Sequence, residues 1–210
     1  MMRIHQSSLC VIAFVLVVAA CDQRARPFNP SGFAGPTLQQ AIPKPDFTLT
    51  ATDGSPFHFR AATEGSVTLL FFGYTHCPDV CPVHLANIAA ALRTLDPEIQ
   101  RQIKVVFVTT DPDRDTPSEM RAWLDKFNPE FIGLTGSIDQ VNAIQRGLKL
   151  GDASREPQVS PLDTGYTVGH AAIVLAFTRD DSAHVVYPFG IRQADWAKDL
   201  PQLVKVGGPG

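Results

Sequence analysis

Three short apolar runs stand out from a chain of otherwise mixed polar and apolar positions. Residues 67–72 (VTLLFF), 103–109 (IKVVFVT) and 171–177 (AAIVLAF) are almost continuously apolar and rich in β-branched or aromatic side chains. Runs of this length, bounded by turn residues, predict strands buried on both faces. Between them the period lengthens to that of a helix, over residues 80–95, 117–127 and 138–148, and again over residues 193–204. The boundary signals agree. Pro117 suits a first helical turn, and Ser137 caps the segment that follows it, with Asp139 in its first turn and Gly147 or Gly151 near its end. Ahead of the first run, Phe47-Thr48-Leu49 and Phe57-His58-Phe59 alternate about Asp53-Gly54, the pattern of a small β-hairpin. His58 falls on the exposed face of that hairpin. Residues 184–187 return after a turn at 179–182 as the partner of the third strand. Gly133 and Gly136 read as punctuation, and residues 111–117 and 152–163 as loops. The predicted order is β-hairpin, β, α, β, α, α, β, β, α. It implies an α/β domain with a central mixed sheet flanked by helices and an N-terminal β-hairpin extension.

The first twenty residues change the domain boundaries. Arg3 precedes an apolar stretch of twelve residues from Leu9 to Ala20, too short to span a bilayer comfortably. It ends Val18-Ala19-Ala20-Cys21, which resembles a bacterial lipobox, in which the cysteine is lipidated and becomes the mature N-terminus. An uncleaved anchor or an ordinary signal peptide fits these residues less well. Asp22 resembles the signal that retains such lipoproteins in the inner membrane. Residues 21–40, rich in Pro, Gly and polar residues, then read as the lipidated cysteine and a flexible tether, and residues 41–206 as the domain. Removing residues 1–20 leaves 17 basic against 21 acidic residues, a net charge of −4. No basic run or aromatic–basic alternation suggests nucleic acid.

Of four cysteines, Cys10 lies in the apolar stretch and Cys21 at the lipidation site, which leaves Cys77 and Cys81. Both stand where the first buried strand gives way to a helix. There the helix dipole and unpaired N–H groups favour thiolate over thiol. Four residues apart on a regular helix, their Cβ atoms would lie roughly 5–6 Å apart, against about 3.8 Å in a relaxed disulfide. Two thiolates meeting on one metal ion at about 2.3 Å each tolerate the wider gap. Pro78 and Pro82 also suit an irregular start that would let a disulfide close. Both states are open, with the metal slightly favoured. As a structural staple the pair is poor, since so short a loop gives only about 2 kcal/mol in the chain-entropy model.

Three segments carry a resemblance. Gly73-Tyr74-Thr75-His76-Cys77-Pro78-Asp79-Val80-Cys81-Pro82, Asp111-Pro112-Asp113-Arg114-Asp115-Thr116-Pro117 and Tyr166-Thr167-Val168-Gly169-His170 are similar, in this order, to the motifs of the Sco/SenC family of copper-binding thioredoxin-fold proteins. The similarity covers residues 43–204. It implies a thioredoxin-like fold and one copper ion, Cu(I) or Cu(II), on Cys77, Cys81 and His170. It also implies delivery of that copper to the binuclear centre of cytochrome c oxidase during assembly, at the periplasmic face of the bacterial inner membrane. The partners it implies are the oxidase's copper-centre subunit and other periplasmic copper carriers or thiol reductants. The alternative it leaves is a membrane-tethered thiol-disulfide reductase using Cys77 and Cys81 on the oxidase's cysteines. No proline occurs between Gly165 and Phe177, where thioredoxins place one, which weighs against general disulfide exchange. Gly169 and Ala171 depart from the acidic and hydroxyl residues common beside the family's histidine.

The donor set alone suits copper, although zinc also accepts two cysteines and a histidine. Among the other polar residues, His76 and His84 read as surface residues, with His84 a spare ligand at most. Asp79, between the cysteines, would add negative charge near a cationic metal and could equally be a first-turn helix residue favoured by the dipole. Asp111 and Asp115 belong to a loop that caps the next helix and holds it against the site, and Arg114 pairs locally.

Overall fold

The computed structural model describes residues 32–156 and 166–207. The signal-like segment, Cys10, Cys21 and most of the expected tether lie outside them. Among the described residues, no helix is long and apolar enough to cross a membrane.

Among the described residues, ten strands and six helices form two sheets and their covering layers. β1 (Thr37–Pro43), β2 (Thr48–Ala51), β3 (Pro56–His58), β4 (Val67–Gly73), β5 (Ile103–Thr109), β6 (Ile132–Thr135), β9 (Ile173–Phe177) and β10 (Ser182–Pro188) make an eight-stranded sheet in the order β1-β10-β9-β4-β5-β6-β2-β3. β7 (Ser154–Glu156) and β8 (Thr167–Gly169) pair with each other in a separate two-stranded sheet. The helices are α1 (Phe59–Ala62), α2 (Val80–Leu92), α3 (Pro97–Gln100), α4 (Pro117–Leu124), α5 (Ile138–Gly147) and α6 (Gln193–Lys205).

The three apolar runs are the centre of this sheet. Every residue of β4 is buried, between β5 in parallel register and β9 antiparallel. Alternate side chains supply two cores, because successive residues of a strand point to opposite faces. Leu69 and Phe71 join Leu85, Ile88 and Trp196 on the face covered by α2, α4 and α6. Leu70 and Phe72 join Phe59, Val141 and Leu148 on the face covered by α1 and α5. The predicted hairpin forms, pairing Thr48 with His58 and Leu49 with Phe57. Capping boxes close the N-termini of α4 (Thr116 with Glu119) and α5 (Ser137 with Gln140).

Four features differ from the sequence reading. Residues 37–40, expected in the tether, begin edge strand β1, which pairs with β10; Phe33 and Ala34 already pack on the core. The chain there is too polar to announce a strand, but its edge position asks only for backbone pairing. The Gly133 region is strand β6, too short at four residues for its period to be read, and Gly133 serves close packing, since a Cβ would meet Leu124 and Thr52 within 2.9 Å. Residues 154–156, expected in a loop, form exposed strand β7. The 80–95 helix stops at Leu92 and a second short helix follows.

Leu70 is fully buried in the core on the α1/α5 face. Leu70→Ala should cost about 2–5 kcal/mol through lost transfer energy and a residual cavity, read as a lower urea midpoint at unchanged m-value.

Candidate metal centre

β4 and β5 run parallel and end together, so the loops beyond their carboxyl ends meet in one crevice, the usual ligand position in open α/β sheets. Three connections converge there. They are the 74–79 loop into α2, the 110–116 loop into α4, and the segment after β8.

The first loop is shaped by a buried carboxylate. Asp115 Oδ1 accepts from the Thr75 hydroxyl at 2.6 Å, and its Oδ2 accepts from the Thr75 amide at 3.0 Å and the Thr109 hydroxyl at 2.6 Å. The Thr110 amide also donates to the Gly73 carbonyl at 2.7 Å. The Cys77 amide then closes a turn on the Tyr74 carbonyl, and Asp79 caps α2 by accepting the Val80 amide at 2.6 Å. Cys77 therefore stands before the cap and only Cys81 is helical, so the regular-helix spacing does not apply to the pair. The Cys81 amide points at the Cys77 Sγ, 3.4 Å away. Gly73 is required by the same packing, because a Cβ on it would sit 2.8 Å from the Cys81 Sγ and 2.9 Å from the Phe107 ring.

Both cysteines are free and buried, Cys77 at 9% exposure and Cys81 at 0%. Their proton affinities are driven apart. The Cys81 thiol, then His170 and the Cys81 and Asp79 amides, hold the Cys77 pKa down to about 4. Burial, with the Cys77 charge beside it, pushes the Cys81 thiol far up. At neutral pH the pair is one thiolate and one thiol. The third residue, His170, follows β8. Its Nε2 lies 3.6 Å from the Cys81 Sγ, its Nδ1 faces the Ala171 carbonyl at 3.3 Å, and its ring packs edge-on against Tyr74 and Phe71. Among the described residues, Cys77, Cys81 and His170 are the one group of three His, Cys or acidic residues whose ligand atoms all lie within 4.8 Å of one another.

The remaining candidates divide. His76 is half-exposed, 3.5 Å from Asp115. His84 is not a surface residue. It is 2% exposed, wedged between Phe71 and Phe189, and burial lowers its pKa. Its position one turn after Cys81, in register with Leu85 and Ile88, was the available sign that it faces inward. It does not join the Cys77–Cys81–His170 group. Arg114 does pair locally, with Asp111. Asp115 has a role that spacing could not reveal. It does not cap α4, which Thr116 does, but fastens the cysteine loop to β5.

A family model described as SCO1/SenC matches residues 35–205. This chain belongs to the SCO1/SenC family. Among SCO1/SenC relatives, the mitochondrial SCO1 homolog 1 of Arabidopsis thaliana is 32% identical over 144 residues, 67% of this chain and 40% of that protein. The chain spans 34% to 47% of the first three curated relatives it matches. Bradyrhizobium japonicum ScoI, solved with copper bound, superposes with a TM-score of 0.66 at 30% identity, covering 77% of this chain and 99% of that one. Apo Sco1 of Thermus thermophilus gives 0.71 at 30% identity, covering 82% and 97%. The thioredoxin-like fold expected from the three motifs is thereby established for this SCO1/SenC chain.

Because Cys77 is ionised well below neutrality, its alkylation rate in the reduced protein should stay level from pH 8 to pH 5 and fall only as the pH approaches about 4. An unperturbed thiol would instead lose about tenfold per unit below its pKa of about 8.5. Iodoacetamide kinetics with mass-spectrometric site assignment distinguish the two.

Proposed function

We propose that this protein is a copper carrier that holds one copper ion on Cys77, Cys81 and His170 and hands it to the binuclear copper centre of cytochrome c oxidase during assembly. The observation that carries this reading is the meeting of two sulfurs and an imidazole nitrogen within 4.8 Å in a buried crevice. The relationship to a protein solved with copper bound supports it. Two thiolates and one imidazole are a soft set of low coordination number, suited to Cu(I) and workable for Cu(II). Copper is the cargo, so the site must release it as well as bind it. Incoming thiolates of the acceptor replace the protein's own ligands in turn. The Val18-Ala19-Ala20-Cys21 segment adds a lipid anchor at Cys21, which puts the carrier on the periplasmic face of the bacterial inner membrane, within reach of the oxidase's copper-centre subunit.

Proton bookkeeping sets the pH dependence. Before binding, Cys77 is a thiolate and Cys81 keeps its proton. Both must bind as thiolates, so copper displaces about one proton per ion. Affinity therefore rises with pH, by about tenfold from pH 7 to pH 8.

One observation favours a second reading. A low-pKa thiolate beside a high-pKa thiol is also the pairing of an attacking and a resolving cysteine. In that role the Cys77 thiolate would attack a partner disulfide and release one partner thiolate, and Cys81, giving up its proton, would attack the Cys77 sulfur and release the second. The protein would finish with a Cys77–Cys81 disulfide while the partner gained two electrons, the Cys81 proton and one proton from water.

Anaerobic titration of the reduced protein with Cu(I) and Cu(II), beside His170→Ala and Cys77→Ser, separates the readings. The carrier binds one equivalent, shows sulfur-to-copper charge-transfer bands in the Cu(II) form that His170→Ala weakens, and releases about one proton per ion. Copper affinity unchanged in Cys77→Ser would overturn the site. Failure to bind, with ready disulfide exchange that His170→Ala spares, would establish the reductase.

A further inference from the structure

Among the described residues, His170 Nδ1 has no carboxylate partner and faces the Ala171 carbonyl, at 3.3 Å, and its neighbours Gly169 and Ala171 carry no polar side chain. The strand before it, β8, belongs to the small two-stranded sheet and has no ladder to the main sheet. Something else must locate the imidazole relative to the cysteines.

Tyr74 contributes, bonding the Val168 backbone in β8 and packing against His170, and a further set of contacts comes from the 111–116 loop. Tyr166, just before β8, donates its hydroxyl to Asp111 Oδ1 at 2.6 Å. The Arg114 guanidinium lies 3.7 Å from the centre of the Tyr166 ring and pairs through Nε with Asp111 Oδ2. Asp111 is itself fixed, 2% exposed, with its amide donating to the Thr109 hydroxyl at the end of β5. From β7, Arg155 closes the other side. It lies 4.6 Å from the Tyr166 ring and pairs with Asp113. Arg114 also reaches the Tyr74 ring at 5.8 Å, and Tyr74 packs against His170. A cation sandwiched on an aromatic face and a charge-assisted hydrogen bond are both directional. Together they tie the Tyr166 end of β8 to the frame of β5.

We propose that Tyr166, Asp111 and Arg114 form a positioning latch that sets the place of the His170 imidazole opposite Cys77 and Cys81. None of the three belongs to the Cys77–Cys81–His170 group. They act through β8, in the way that outer partners of a metal ligand set its orientation. This rests on the copper reading above.

The test is Tyr166→Phe, which keeps the ring for Arg114 and removes only the hydroxyl to Asp111, beside Asp111→Asn and His170→Ala. Copper affinity by chelator competition should fall by about 10–100-fold in Tyr166→Phe, the range typical of outer partners. The Cu(II) charge-transfer bands and nitrogen hyperfine coupling should shift toward those of His170→Ala, while the Cys77 alkylation rate of the metal-free protein at pH 8, where the Cys81 thiol alone keeps Cys77 ionised, stays at the wild-type value. Combining Tyr166→Phe with His170→Ala should add nothing further. Wild-type affinity and spectra in Tyr166→Phe, with His170→Ala impaired, would overturn the latch and leave the site standing. No effect of His170→Ala itself would overturn the site reading instead. A double variant worse than His170→Ala alone would assign Tyr166 a general structural role and also overturn the latch.

Discussion

A negative sulfur kept out of bulk water has to be solvated by the protein, and the arrangement at the head of β4 answers to that requirement. Cys77 is 9% exposed and no cationic side chain pairs with it among the contacts described. Its charge is met instead by the Cys81 thiol, the His170 imidazole and backbone N–H groups at the start of α2. Fixed dipoles can do this only if they cannot turn away. The loop between strand and helix must then be rigid, which explains why a buried carboxylate, Asp115, holds Thr75 and Thr109 together directly beneath it. The glycine at the end of β4 follows from the same demand, since the helix carrying Cys81 must approach the strand more closely than any side chain would permit.

From that constraint the division of labour in the fold becomes clear. The two sulfurs belong to the most deeply buried part of the molecule, joined to the central strand and to a helix packed on α6. The imidazole comes from a two-stranded element outside the main sheet. The 111–117 motif is the joint between these parts. Asp115 faces the cysteine loop, while Asp111 and Arg114 face the strand before His170. One short polar segment therefore organises both halves of the site.

The central sheet was legible because its strands are buried on both faces, and burial writes an apolar run directly into the sequence. The site was legible through three motifs whose spacing no core requirement explains. What escaped were features whose cause lies elsewhere in the chain. Strand β1 is an edge whose existence depends on β10 offering a partner. Strand β6 is a four-residue element whose glycine reads locally as a turn but in space makes room for Leu124. By polarity alone His84 reads as a surface residue, but its place on the apolar stripe of α2 decides its burial. The work of Asp115 is a long-range contact, forty residues from Thr75, and no local pattern encodes it.

The separateness of the β7–β8 pair has a consequence for time as much as for structure. Elements that share a hydrogen-bonded ladder loosen together, while one outside it can loosen alone at a smaller cost. In the proposed carrier, the rigid sulfurs then set how tightly the ion is held, and the nitrogen arm sets how readily it is released. A protein built this way can grip a scarce ion tightly and still part with it promptly on meeting the right acceptor.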